Sequence, residues 1–441
     1  MKNIVLVGRK VPLITPLPVN ASCPRRLQPE EKAGLASLAL RLVCQASEDS
    51  AGEAQVAELI QRFLAANGAA AELTAVPPPA DSRMCNLEAQ LPGRGQRTLI
   101  LCGHMDTVPC PRPGQPGGEI REGWLCGRGS CDMKGALAAM VTAFLIVKRE
   151  KWDLEGSLRL LLTGDEESSG LGARLATAGK PGRSGHGDDA SPAPAVELVT
   201  GEPTGLAVAV AEKGALWLEV TVDGVGGHGG LPELGVNAVA AAAGAITSLG
   251  SLLKTAERRD LGKTSGGHPL LGPATWNVGS IRGGTVPNLI PDSCTFTVDI
   301  RTLPGADHLE VVQGLERALA DHFGKTAPGR FPRARVRMVG NRPPLEISPD
   351  GPLPTAARQA AARVTGTQSP PIGVGYFTDN ATLVPAWDCP WVILGPGSPG
   401  QMHKPDEKVA LDELTMAAET YLELIRKRLC PGGSEIGANL A

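Results

Sequence analysis

The sequence predicts an α/β fold built on a mixed sheet and interrupted by an inserted α+β domain. Three observations lead there. The runs TLILCG (98–103), SLRLLLT (157–163) and VELVT (196–200) are apolar and of strand length. Continuous apolar runs of that length suit parallel strands buried on both faces. From about residue 212 the pattern switches to alternation, as in LWLEVTVD (216–223) and SCTFTVDIR (293–301). Alternation suits antiparallel strands with one covered face. After Pro343 the first pattern returns. The expected organisation is therefore a main domain over 29–211 and 341–441, an inserted domain over 212–340, and a peripheral extension over 1–28.

Taken in order, residues 30–68 carry helical periodicity, broken near 47–52. A strand at 98–103 is followed by an apolar helix at 132–150, then by the strands at 157–163 and 196–200. Between the last two lies GKPGRSGHGDDASPAPA (179–195), whose Gly, Pro and Ser content predicts a mobile loop. The inserted segment reads as a strand, a helix (236–253), two strands (275–281 and 293–301), a helix (309–323) and a strand (333–339). A helix at 353–364, a strand at 391–394 and a final helix near 406–429 complete the main domain.

Bulk composition excludes several functions. With 43 basic and 46 acidic residues the net charge is -3, and aromatics are 3%. Neither a basic footprint nor a stacking surface for nucleic acid is present. No apolar run reaches the roughly 18 residues needed to span a bilayer. The 10 cysteines form no CxxC pair, which suits reduced thiols in a cytoplasmic protein.

The informative residues lie just after the predicted strands: His104-Met105-Asp106, Glu166-Glu167 and Glu202, with Asp132 at a helix start and His403 after a GPG turn. Imidazole and carboxylate groups gathered at one sheet edge form the donor set of a two-metal hydrolytic site. His104 is a candidate ligand, with Asp106 placed to accept its other N–H and fix the tautomer. Asp132 closes the turn GRGSCD. It reads either as an N-cap or as a carboxylate turning both oxygens outward to bridge two ions. Asp165-Glu166-Glu167 reads either as a solvated acidic turn or as carboxylates gathered by a cation, one binding metal and the other acting as general base. Glu202 and His403 are each also compatible with ordinary loop positions. His186, His268, His308 and His322 are read as non-ligands.

HMDTVP, GRGSCDMKG, GDEES, GEPT, GGHGG…GVNA, GTVPN…DIR and GPG…HKPDE occur in this order over about residues 30–430. Together they resemble the M20 metallopeptidase family, in its acetylornithine deacetylase and succinyl-diaminopimelate desuccinylase branch. The resemblance implies a zinc-hydrolase domain with an inserted lid and dimerisation domain, two Zn2+ (or Co2+) per subunit, and a homodimer. Asp132 would bridge the ions, with His104 and Glu202 on one and Glu167 and His403 on the other. Glu166 would be the general base, and His228 (GGHGG) would hold the oxyanion. Asn288 and Arg301 would hold a substrate carboxylate, with Thr378 in the same substrate-binding set. Glu rather than Asp at position 202 points within the family to deacylases or carboxypeptidases. The implied substrate is an N-acyl amino acid, foremost N2-acetylornithine, in amino-acid biosynthesis. A dipeptidase or carboxypeptidase and a succinyl-diaminopimelate desuccinylase are the alternatives. GYFTDN (375–380) matches neither branch pattern.

Overall fold

The computed structural model describes residues 24–76, 83–110, 117–178, 196–260, 267–326 and 332–432. The expected loop at 179–195 and residues 1–23 lie outside the described residues. From Arg25 the chain is tied to the main body. Arg25 pairs with Glu31 and Glu150, and the Leu27 N–H donates to buried Glu419 at 2.8 Å.

Among the described residues, nine strands form the large sheet, with Thr98–His104 near its centre. Ser157–Thr163 and Val196–Thr200 run parallel to that strand on either side, and Trp391–Ile393 lies parallel to Val196–Thr200. Cys85–Leu91 and Leu345–Glu346 add antiparallel strands toward the edges, so the sheet is mixed. Leu99 and Leu101 join the core beneath helices Pro29–Cys44, Ser50–Ala66, Lys134–Arg149 and Leu411–Leu429, while Ile100 and Cys102 face a second core holding Ala173, Leu383 and Trp391. Successive side chains point to opposite faces, and here both faces are covered. That is why the run 98–103 has no polar alternation.

A four-stranded antiparallel sheet follows, ordered Thr275–Gly283, Ser293–Thr302, Gly214–Asp223, Arg333–Arg342. Leu216, Leu218, Val220 and Val222 pack against Phe296, Leu249, Leu315 and Phe323 under helices Ala238–Asp260 and His308–Thr326. The alternate residues from Trp217 to Asp223 are half-buried on the other face. One covered face gives the period-2 pattern of this segment.

Candidate active site

The parallel strands deliver their carboxyl ends to one edge of the large sheet, where ligands bind in open α/β sheets. His104 ends the central strand, Asp165-Glu166-Glu167 follows Ser157–Thr163, and Glu202 follows Val196–Thr200. His403 arrives from the turn after Trp391–Ile393, with φ of 61°. Asp165 also has a positive φ, 63°. Left-handed backbone at two non-glycine residues beside the site marks geometry imposed by the surroundings.

Two groups of ligand atoms form, and they share Asp132. His104, Asp132 and Glu202 make one, and Asp132, Glu167 and His403 the other, with all ligand atoms in each group within 4.8 Å of one another. His104 Nε2 lies 3.1 Å from Asp132 Oδ1 and 3.5 Å from Glu202 Oε1. His403 Nε2 lies 3.2 Å from Asp132 Oδ2 and 3.0 Å from Glu167 Oε1. In a tetrahedral zinc site with bonds of about 2.0–2.1 Å, neighbouring ligand atoms stand about 3.3–3.4 Å apart. All four spacings fall close to that edge length. Asp132 Oδ2 is buried and lacks an aligned hydrogen-bond donor despite its closeness to His403. A buried carboxylate oxygen so placed is suited to a cation.

The surroundings orient these groups. His104 Nδ1 lies 3.0 Å from the main-chain oxygen of Asp106. A carbonyl only accepts, so Nδ1 carries a proton, and Nε2 is the nitrogen that faces the cluster. The Asp106 carboxylate also stands 3.4 Å from that Nδ1, and it accepts from the main-chain N–H groups of Glu166 (3.1 Å) and Glu167 (2.9 Å). Asp106 thereby fixes the turn that carries both glutamates. Asp165 turns away, its carboxylate accepting from Ser169 Oγ and the Leu171 N–H. Of the three consecutive acids, only Glu166 and Glu167 are left to the site.

Electrostatics agree with that arrangement. Burial and neighbouring Glu202, Glu167 and Asp379 push Glu166 well above the usual glutamate range, against the opposing pull of His104. Burial raises Glu202 likewise. Burial would lower His104, but Glu202, Asp106 and Asp132 outweigh it and raise its pKa. His403 is pushed up to about 10 by Asp132 and Glu167. With so many buried carboxylates around two imidazoles, protons are held on both kinds of group, a place that divalent cations would take.

The other expected site residues are placed differently. His228 is exposed in a short ribbon, paired with Leu289, and the Gly229 N–H donates to the Asn288 carbonyl at 2.8 Å. His228 and Asn288 are thus neighbours, but no described hydrogen bond or ion pair joins either to the carboxylate cluster. Arg301 is half-buried and donates from Nε and Nη2 to Asp299. Thr378 is fully buried, and its hydroxyl donates to Glu212 at 2.9 Å and accepts from the Asn380 N–H. Both hydrogen-bonding roles of Thr378 therefore lie within the fold, not toward an open site.

The profile of peptidase family M20/M25/M40 matches residues 100–427. The chain belongs to that family. Among similar M20 proteins, the acetylornithine deacetylase of Proteus mirabilis is 32% identical over 388 residues, 86% of this chain and 91% of its own. That of Vibrio vulnificus is 31% identical over 386 residues, covering 85% and 92%. In fold the chain resembles aminopeptidase PepT from Bacillus cereus, with a TM-score of 0.68 at 22% identity over 89% of this chain and 98% of that one. This M20 chain is accordingly a hydrolase, and its two ligand groups are candidate metal sites.

Three residues that hold the M20 site together escape sequence reasoning. Glu407 is 1% exposed and accepts from the main-chain N–H groups of Cys131 (2.9 Å) and Asp132 (3.0 Å) while pairing with Arg128. Glu53 accepts from the Asp165 N–H at 3.1 Å. Asp379 is buried, raised to about 6 by that burial, and receives the Thr163 hydroxyl at 2.6 Å. Glu407 and Asp379 stood inside the motifs HKPDE and GYFTDN, but nothing local marks their partners.

Proposed function

We propose that this chain is a dinuclear metal-dependent deacylase that cleaves the amide of an N-acyl amino acid. The observation that carries the reading is a single buried carboxylate, Asp132, shared by two ligand triads with Glu166 beside them. The identity of the relatives, acetylornithine deacetylases over most of both chains, supports an acyl amino acid over a peptide. Zinc or cobalt fits the imidazole and carboxylate donors. His104, Asp132 and Glu202 would hold one ion and Asp132, Glu167 and His403 the other. When bound, the ions supply Lewis acidity and a water of lowered pKa.

The chain's own groups do the rest. Glu166 accepts the proton of the attacking water and returns it to the leaving nitrogen. The C–N bond breaks, a C–O bond forms, and the products are a carboxylate and a free amine. Asp106 keeps the Glu166-Glu167 turn in place. Arg301 binds the substrate carboxylate through its fork. His228 donates to the developing oxyanion, a contribution of about 3–4 kcal/mol in comparable sites.

We assign the inserted domain as lid and dimerisation domain of a homodimer. The exposed edge strand Thr275–Gly283, with Trp276 and Ile281 uncovered, supports this, because open strand edges pair readily with a second chain. In such a dimer the exposed His228 would serve the neighbouring subunit's cluster. No described helix is long and apolar enough to cross a membrane. The nine described cysteines are free thiols, which supports a reducing, cytoplasmic setting.

Amine release tests the reading, using chelated protein with zinc or cobalt restored. The panel is N2-acetylornithine, N-succinyl-diaminopimelate, other N-acetyl amino acids and dipeptides. Metal-restored turnover of an acyl amino acid is expected. Turnover of dipeptides alone would replace the deacylase with a peptidase.

A further inference from the structure

Arg301 and Arg342 flank Ala215. Arg301 pairs with it across one strand boundary and Arg342 across the other. Directly paired residues share a face of the sheet, so both arginines rise on the face that the helices leave open, with only a methyl group between them. Their Cα atoms stand two strand spacings apart, about 10 Å. Each guanidinium carbon lies 5.6 Å from the centroid of the Phe377 ring. Trp217 meets the same ring edge-on at 5.8 Å. Phe377 immediately precedes Thr378-Asp379, which leads back to the carboxylate cluster.

The two arginines differ in how their charge is met. Arg301 is bound to Asp299. Arg342 is 7% exposed, its Nη1 reaches only the Asn341 carbonyl at 3.4 Å, and its buried Nη2 has no hydrogen-bond partner. No ion pair to Arg342 exists among the described residues. A Cβ built on Gly170 would stand 2.6 Å from Arg342 Nη2. The unpaired guanidinium therefore touches the loop that carries Glu166 and Glu167. The Asp379 carboxylate is near enough to feel the charge of Arg342 but makes no ion pair with it. A buried guanidinium without a directly paired carboxylate is costly, and its fork is shaped for one. An ammonium in the same place would meet like charge.

We propose that Arg342 is a specificity-determining residue that receives a second carboxylate of the substrate, so that the preferred N-acyl amino acid is dianionic. Its α-carboxylate would lie on Arg301 and the other, on an acidic side chain or a dicarboxylic acyl group, on Arg342. This rests on the deacylase reading and sets the preference within it.

The test compares kcat/KM for N-acetylglutamate, N-succinylnorvaline, N-acetylnorvaline and N2-acetylornithine with the metal-loaded enzyme and with Arg342→Gln and Arg342→Lys. The parent is expected to favour one of the two dianions over N-acetylnorvaline by about 10- to 100-fold, the range of a hydrogen bond between charged groups. Which dianion wins tells side chain from acyl group. Arg342→Gln should bring that ratio close to one, and Arg342→Lys should keep part of it. Preference for N2-acetylornithine in the parent, or an unchanged ratio in Arg342→Gln, would overturn the proposal. If Arg342→Gln fails to fold, the parent panel still decides. If only dipeptides are cleaved, the deacylase reading fails separately. Inhibition of dipeptide cleavage by glutarate and by butyrate then tests the second carboxylate site, and equal inhibition constants would overturn it.

Discussion

At the scale of single residues, the site depends on what each carboxylate has as a partner. Asp165, Asp106 and Glu407 are occupied by main-chain N–H groups. No described hydrogen bond engages the Glu166 carboxylate, which leaves it for the proposed proton transfer. Glu166→Gln keeps the shape and the Asp106 contact but cannot take a proton. Turnover should fall about 100- to 10,000-fold with two metals still bound, as read by steady-state rates beside metal analysis. Full turnover in that variant would remove Glu166 from the mechanism. Glu53 behaves differently. Burial, then Asp106 and Asp165, push it up to about 8 from 4.5. The folded state therefore holds a proton that the unfolded chain releases between those values. The stability this proton brings is present below about 4.5 and is lost as pH rises through about 8. Glu53→Gln still accepts from the Asp165 N–H and carries no charge. Its melting temperature should match the parent's at low pH and exceed it progressively across that window, measured by calorimetry. A constant difference with pH would contradict the assignment.

At the scale of elements, parallel strands and the turns after them decide where the chemistry sits. The turn at Gly127–Asp132 must bend tightly before helix Lys134–Arg149. Gly129 supplies φ of 82°, and a Cβ there would press on Thr107 and Lys134. Glu407, 275 residues beyond Asp132, anchors the turn from below. Glu407→Ala would leave two buried N–H groups without their acceptor and Arg128 without its carboxylate partner. Loss of one partner of a buried charge pair costs about 3–5 kcal/mol. Denaturant unfolding should show a loss of that order, together with weaker metal binding. A loss below about 1 kcal/mol, the range of exposed ion pairs, would argue against the anchor.

At the scale of the molecule, two sheets with different burial meet at the site. The large sheet is covered on both faces and gives a rigid base for His104, Glu166, Glu167 and Glu202. The small sheet is covered on one face and carries an open edge strand, with Arg301 and Arg342 on its other face, where substrate and partner are proposed to bind. Ile281 on that edge is 49% exposed. Ile281→Lys places a charge where a second chain would pair, a device that blocks edge-to-edge association. Sedimentation should show a dimer for the parent and a monomer for the variant. A parent that is already monomeric would remove the dimer proposal.

The sequence by itself determined the α/β character and the presence of a metal-type donor set. Both are local properties: apolar runs mark strands buried on two faces, and His104, Asp132, Glu166, Glu167, Glu202 and His403 each follow a strand, a glycine-rich turn or a GPG turn in a readable motif. Only the tertiary structure decided which oxygen meets which nitrogen. It set both the main-chain oxygen and the carboxylate of Asp106 beside His104 Nδ1, and it closed the Thr378 hydroxyl inside the fold. It also brought Glu53, Asp379 and Glu407 to turns 112, 216 and 275 residues away. Arg342 became notable only once strand register set it opposite Arg301 over Ala215. Hydrogen bonds and charge pairs act over a few ångströms in space without regard to distance along the chain. A motif can therefore announce a ligand, but it cannot announce the partner that holds it.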